Sequence, residues 1–117
     1  MGTRGNDRQI DNIEFNVADI ERSKAFYGAV FGWTFTDYGP TYCEFTDGRL
    51  TGGFTSGAPV RPGGPLVILY GDDLAATQQR VEKAGGTLSK AVFAFPGGRR
   101  FQFLDLDGYE LAVWSAA

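Results

Sequence analysis

Glu14 is the residue best placed to do chemistry. It stands between Asn12 and Asn16 in a stretch where Ile13, Phe15 and Val17 alternate with polar neighbours. A carboxylate on the open face of an otherwise apolar strand gains a raised pKa when desolvated, and can then act as a base or accept a ligand's hydrogen bond. Pairing with Arg100 is the structural alternative, and the sequence leaves both roles open. Glu44 alternates with Tyr42 and Thr46 and offers a second carboxylate, or else faces water on a short hairpin strand. Tyr70 and Trp114 share a strand phase with Leu66, Ile68 and Ala112, and present ring faces to a flat ligand. Arg100 and Gln102 alternate with Phe101 and Phe103; Gln102 either orients a ligand or is a satisfied polar group on a sheet face.

Equally informative is what is missing. The 117 residues include no His, which removes the commonest general base and the commonest ligand of catalytic transition metals. Cys43 is the sole cysteine, so no intrachain disulfide or Cys-rich zinc site can form, and it reads as a small core residue. Asp105, Asp107 and Glu110 lack the further oxygen ligands of a calcium loop and read as turn residues. The segment Pro96-Gly97-Gly98-Arg99-Arg100 has no helix behind it to bind phosphate, although Arg99 stays a candidate rim contact for an anionic ligand. A net charge of -3 with one tight basic pair argues against a nucleic-acid partner. No apolar run approaches the roughly 18 residues a membrane helix needs, and the charged first residues carry no apolar stretch of a secretory signal, so a cytoplasmic location is expected.

Strands and helices must position these side chains, and the pattern supplies them. Residues 10–17 alternate with the period of a half-buried strand. Asp19 is placed as the cap of a helix whose buried stripe is Ser23, Phe26, Tyr27, Val30 and Phe31, closed by Gly32. Strands are expected at 33–37, 41–46 and 50–54, the last two joined at Asp47-Gly48. Beyond the Gly- and Pro-rich stretch 56–65 the order repeats: a strand at 66–70, a cap at Asp73, a stripe of Leu74, Thr77, Val81 and Ala84 ended by Gly85-Gly86, then strands at 87–92, 100–104 and 110–114. Asp19 and Asp73, Ile20 and Leu74, and Gly32 and Gly86 are all 54 positions apart. The expected fold is α+β: a single domain over 1–117 with two tandem βαβββ modules at about 9–55 and 64–115 and a linker at about 56–63. The helices cover one face of a cupped mixed sheet, leaving Asn12, Glu14, Asn16, Ile68 and Tyr70 on the concave face.

The run from Phe15 through Asp19, Phe26-Tyr27 and Phe31-Gly32-Trp33 resembles the opening of vicinal oxygen chelate proteins, the superfamily of glyoxalases, bleomycin-resistance proteins and extradiol dioxygenases. Asp72-Asp73-Leu74, Gly85-Gly86 and the turn Asp105-Leu106-Asp107-Gly108 extend the resemblance over most of the chain. It implies a cup in which members hold a divalent metal through His, Gln or Glu on the first and last strands of each module. The matching positions here are Asn12, Leu66, Gly52 or Gly53, and Ala112, of which only Asn12 has a side-chain donor. The resemblance therefore implies a small-molecule-binding protein without the usual metal site or any cofactor. Its ligand, small and partly aromatic, would lie among Asn12, Glu14, Asn16, Glu44, Leu66, Ile68, Tyr70, Arg100, Gln102, Ala112 and Trp114. A lyase, isomerase or dioxygenase-type enzyme is the alternative, with Glu14 as acid or base or with atypical ligands such as Asn12, Glu14 and Glu44. A homodimer in which modules of two chains complete the cups is also implied.

Overall fold

The alternation near the start of the chain forms β1 (Asn12–Asn16), in which Phe15 is buried while Asn12 and Glu14 are exposed. This is seen in a computed structural model that describes residues 5–116. Asp19 caps α1 (Ile20–Phe31) by accepting a hydrogen bond from the Arg22 amide at 3.0 Å, a contact worth about 1 kcal/mol at such positions. Ile20, Ser23, Phe26, Tyr27 and Val30 make its buried stripe, and Gly32 closes it with a left-handed φ of 70°. Then come β2 (Thr34–Asp37), β3 (Tyr42–Thr46) and β4 (Thr51–Thr55). The second unit runs β5 (Val67–Tyr70), α2 (Leu74–Lys83), β6 (Thr87–Phe95), β7 (Gly98–Leu104) and β8 (Glu110–Ser115), with Asp73 capping α2 through the Ala76 amide.

Each unit builds its own four-stranded mixed sheet, ordered β1-β4-β3-β2 and β5-β8-β7-β6. In both, the first strand runs parallel to the last, and the other neighbours are antiparallel. The two units are therefore equivalent βαβββ modules. Their helix-side faces meet in one core. Tyr27 stacks on Trp33 at 4.6 Å between centroids, Trp33 stacks on Phe45 at 4.4 Å, and Phe26 of the first module reaches Phe103 of the second at 6.2 Å. Gly52 is required there, because a Cβ at that position would collide with the Phe45 ring and the Ile13 carbonyl.

Polar contacts of Asp107, Tyr109 and Arg80 help to lock the modules together. The turn after β7 sends the Asp107 carboxylate to Arg22 at 2.7 Å and to the Ala18 amide at 3.2 Å, so it sits at the start of α1. The Tyr109 hydroxyl donates to the Asn16 carbonyl at 2.7 Å and accepts from the Arg61 amide at 3.1 Å, which ties the connecting segment down. Arg80 of α2 donates to the Val30 carbonyl at the end of α1.

The structure departs from the sequence reading in two places. Ile10 is 80 % exposed and lies outside β1, whose ladder with β4 begins only at Asn12. The β6–β7 hairpin is longer than expected, running to Phe95 and resuming at Gly98. Pro96 and Gly97 occupy the two central turn positions, and Gly97 has a φ of 109°; proline followed by a positive-φ glycine is the pattern of a type II turn. The offset of 54 consequently holds for the first strand and helix of each module and then grows, since Gly53 and Ala112 occupy equivalent rows.

Candidate functional site

The side chains singled out from the sequence fall on the sheet faces turned away from the helices. On the first sheet, Glu14 pairs with Gly53 and Gly53 with Glu44, so the two carboxylates lie in one row on either side of a bare glycine. They are two strand spacings apart, about 10 Å at the Cα atoms. Tyr42, two residues before Glu44, fills the gap: a Cβ on Gly53 would run into its hydroxyl end. Burial, and then the charge and hydrogen bonding of Glu14, hold the Tyr42 phenol above its ordinary value. Asn16, Thr55 and Tyr42 form the next row. Glu44 is half-buried, not simply turned to water. Tyr42 was not singled out from the sequence; its signal was the glycine opposite, which only the register reveals.

Glu14 and Arg100 do not pair. They belong to different sheets, and among the described residues the ion pairs are Arg8 with Asp7, Arg22 with Asp107, and Lys24 with Glu21 and Asp37. The pairing fails because each module closes its own ladder, leaving β1 and β7 without a shared edge.

The equivalent face of the second sheet has the opposite character. Ile68, Ala112 and Gln102 form the row matching Glu14, Gly53 and Glu44; Tyr70, Trp114 and Arg100 match Asn16, Thr55 and Tyr42. Tyr70 is 52 % exposed and Ile68 45 %, while Ala112 is fully buried in the sheet centre. Tyr70 meets Trp114 edge to face at 4.9 Å, and Phe95 meets Trp114 at 6.1 Å. The Arg100 guanidinium lies 5.2 Å from the Phe93 centroid and 5.9 Å from that of Phe95, within the range of cation–π attraction. Lys90 lies over the same Phe93 ring at 5.9 Å. Gln102 donates to Glu110, which also accepts from Ser89 at 2.7 Å; these bonds hold the Glu110 carboxyl below its ordinary value. Phe93, Phe95 and Lys90 escaped the sequence reading. The Pro96-Gly97 turn between two alternating runs was the signal that would have placed Phe93 opposite Arg100, with Phe95 opposite Gly98 and Lys90 opposite Gln102.

Of the four positions where a metal would be expected, Asn12 is exposed at the end of β1 and Leu66 immediately precedes β5. On β4 the open-face position is Gly53, not Gly52, and Tyr42 covers it. Ala112 presents only a buried methyl. This donor set does not fit a divalent cation, which needs three or more oxygen, nitrogen or sulfur ligands converging on one point.

A cavity of about 630 Å³ opens beside β5. Its walls are Ile13, Phe15, Phe31, Trp33 and Phe45 from the helix side of the first sheet, the Asp47–Leu50 hairpin tip, and Val67 to Tyr70 with Trp114. Of the expected site residues only Ile68, Tyr70 and Trp114 line it, whereas Asn12, Glu14 and Asn16 face away. Tyr70 and Trp114 thus belong both to the lining of this cavity and to the open face of the second sheet.

A model of the glyoxalase/bleomycin resistance protein/dioxygenase superfamily matches residues 9–113. No curated protein sequence matches the chain significantly. Among solved structures, a glyoxalase-related enzyme from Fulvimarina pelagi is similar with 24 % identity and a TM-score of 0.79, covering 92 % of this chain and 88 % of that one. The fosfomycin resistance protein FosX from Mesorhizobium loti is 20 % identical over 92 % of both chains, with a TM-score of 0.77. TioX from Micromonospora sp. ML1 is 20 % identical over 93 % of this chain and 99 % of its own, with a TM-score of 0.73. At these identities the structural likeness speaks for the fold.

Proposed function

The chain belongs to the glyoxalase/bleomycin resistance protein/dioxygenase superfamily, and from that premise we propose that it is a small-molecule-binding member without the superfamily's usual metal site. The observation that carries this reading is the open face of the second sheet, where Phe93 and Phe95 lie against Arg100 and Trp114 joins Phe95 to Tyr70, in place of metal donors. Rings on a sheet face give a flat ligand both area and orientation at small entropic cost. The ligand is small and partly aromatic, and is held against Ile68, Tyr70, Ala112 and Trp114, with Arg100 and Gln102 as polar contacts. The polar face of the first sheet, Asn12, Glu14, Asn16 and Glu44, closes the cup from a second copy of the chain, so that the working form is a homodimer.

A thermal-shift panel tests this directly. Aromatic compounds are expected to raise the melting temperature saturably, as any ligand selective for the folded state does, and Trp114→Ala is expected to abolish the shift. Divalent metals are expected to leave it unmoved. Stabilisation by a divalent metal alone would overturn the reading.

A further inference from the structure

Two buried polar atoms on the open face of the second sheet have no hydrogen-bond partner: Nε of Arg100 and Oε1 of Gln102. They stand two residues apart on β7, on the same face, about 7 Å along the strand. One is a donor and the other an acceptor, and both are shut off from water, so the free protein leaves each uncompensated. The Gln102 amide cannot be turned round to cure this, because its nitrogen already donates to the Glu110 carboxylate at 3.0 Å, where an oxygen would be repelled. No carboxylate among the described residues forms an ion pair with Arg100. Glu110, the nearby anion, is committed to Ser89 and Gln102. The local charge is positive, since Lys90 and Arg100 lean on the same Phe93 ring, and π faces draw cations without neutralising them.

We propose that this face binds a planar aromatic acid whose carboxylate docks on Arg100 and whose ring-borne N–H or O–H, beside that carboxylate, donates to Oε1 of Gln102. The ring lies on the paired Tyr70 and Trp114. Guanidinium and carboxylate match each other's geometry, which makes arginine the residue for a planar anion in a ring-lined site. The exposed Lys90 side chain moves aside as the acid enters and then adds its charge at the rim. This assignment rests on the small-molecule reading above and narrows its ligand to an acid.

Calorimetric titration of the full chain separates the two ideas. The probes are indole-2-carboxylate, its neutral amide indole-2-carboxamide, benzofuran-2-carboxylate, which keeps the acid and loses the N–H, and tryptamine as an aromatic cation. Indole-2-carboxylate is expected to bind at least tenfold more tightly than the carboxamide and several-fold more tightly than the benzofuran acid. Arg100→Gln is expected to erase the preference for acid over amide. Gln102→Met, checked for native folding by circular dichroism, is expected to erase the preference for indole over benzofuran while keeping that for acid. Equal binding of acid and amide, or an acid preference that survives Arg100→Gln, overturns the proposal. Binding of tryptamine or the amide without the acids overturns it while leaving the small-molecule reading intact. If no probe binds, both fall.

Discussion

The hydroxyl of Tyr27 donates to Oδ2 of Asp105 at 2.7 Å across 78 positions of sequence, and both groups are buried. Oδ1 of the same carboxylate accepts from the Asp107 and Tyr109 amides, so one side chain shapes the β7–β8 turn and fastens it to α1. Read from the sequence, Asp105 was a turn residue and Tyr27 a helix-stripe residue, and each assignment holds. The bond between them was not legible, because nothing local marks two residues as partners when the fold brings them together. Burial raises the Asp105 carboxyl above its ordinary value, and the bonds from Tyr27 and the two amides pull against that rise. In the native state the group therefore holds its proton to higher pH than in the unfolded chain. Its contribution to stability is full below the unfolded value and is lost as pH rises through the folded one. Tyr27→Phe removes a stabilising bond to the carboxylate, so it is expected to cost about 2 kcal/mol at neutral pH and to steepen the decline of stability with pH above 4. Asp105→Asn keeps an acceptor for the turn amides and is expected to flatten that decline. Urea unfolding of the three proteins at several pH values between 4 and 7 checks both, and parallel curves would remove Asp105 from the account. Cys43 illustrates a residue read correctly from the sequence: it is fully buried, and burial, followed by its bond to Asp37, pushes the thiol up to about 11, which makes it a poor nucleophile at neutral pH.

Among the elements, the β6–β7 hairpin matters most to the site, because it alone brings Phe93 and Phe95 to Arg100. Its ladder is irregular, with register shifts between Leu88 and Phe93, so the turn end at Phe95 and Gly98 holds the two strands in phase. Gly97 has a φ of 109°, where a side chain costs about 1–3 kcal/mol. Gly97→Ala is expected to lower stability by that amount and, by loosening the turn, to weaken aromatic-ligand binding several-fold, although residue 97 is not among the rings that face the guanidinium. Calorimetry on the variant measures both, and loss of stability with unchanged affinity would separate the hairpin from the site. Most elements were legible because each carried redundant local signals. Both helices had an Asp cap, a three-four stripe and a closing glycine, and β1 had strict alternation. The far end of β6 was not, because Phe93-Ala94-Phe95 alternates only as part of a hairpin whose Pro96-Gly97 turn falls between the expected strands at 87–92 and 100–104. Register was also hidden: that Gly53, not Gly52, faces outward follows from pairing with Glu14, which the spacing of the Asp47-Gly48 turn does not determine.

At the scale of the molecule, the modules spend their apolar helix-side faces on each other and leave their other faces uncovered. Phe26 against Phe103, Tyr27 on Asp105 and Tyr109 on the Asn16 carbonyl are all contacts of the inner side. Outside, the first sheet shows Glu14 and Glu44, whereas the second shows Lys90 and Arg100 among rings, with Tyr70 and Ile68 at least 45 % exposed. The two faces are unlike and complementary in charge, so a second copy can set its acidic face opposite the basic, aromatic one, and the same contact is then made twice by symmetry. The sequence indicated which residues face outward in each module but not that the inner faces would be consumed within one chain; that depends on long-range contacts with no period to read. Such a pairing would be the homodimer proposed above, with the ligand between unlike faces. Sedimentation velocity is expected to show a dimer at micromolar concentrations that weakens as salt screens the facing charges. Glu14→Lys, exposed and remote from the core, is expected to shift the balance toward monomer without altering the circular dichroism, since it places a cation opposite Lys90 and Arg100. A wild-type chain that sediments as a monomer up to 100 µM, a concentration set on the order of the weakest specific associations, would mean that each open face acts alone and that the cup is never closed by a second copy.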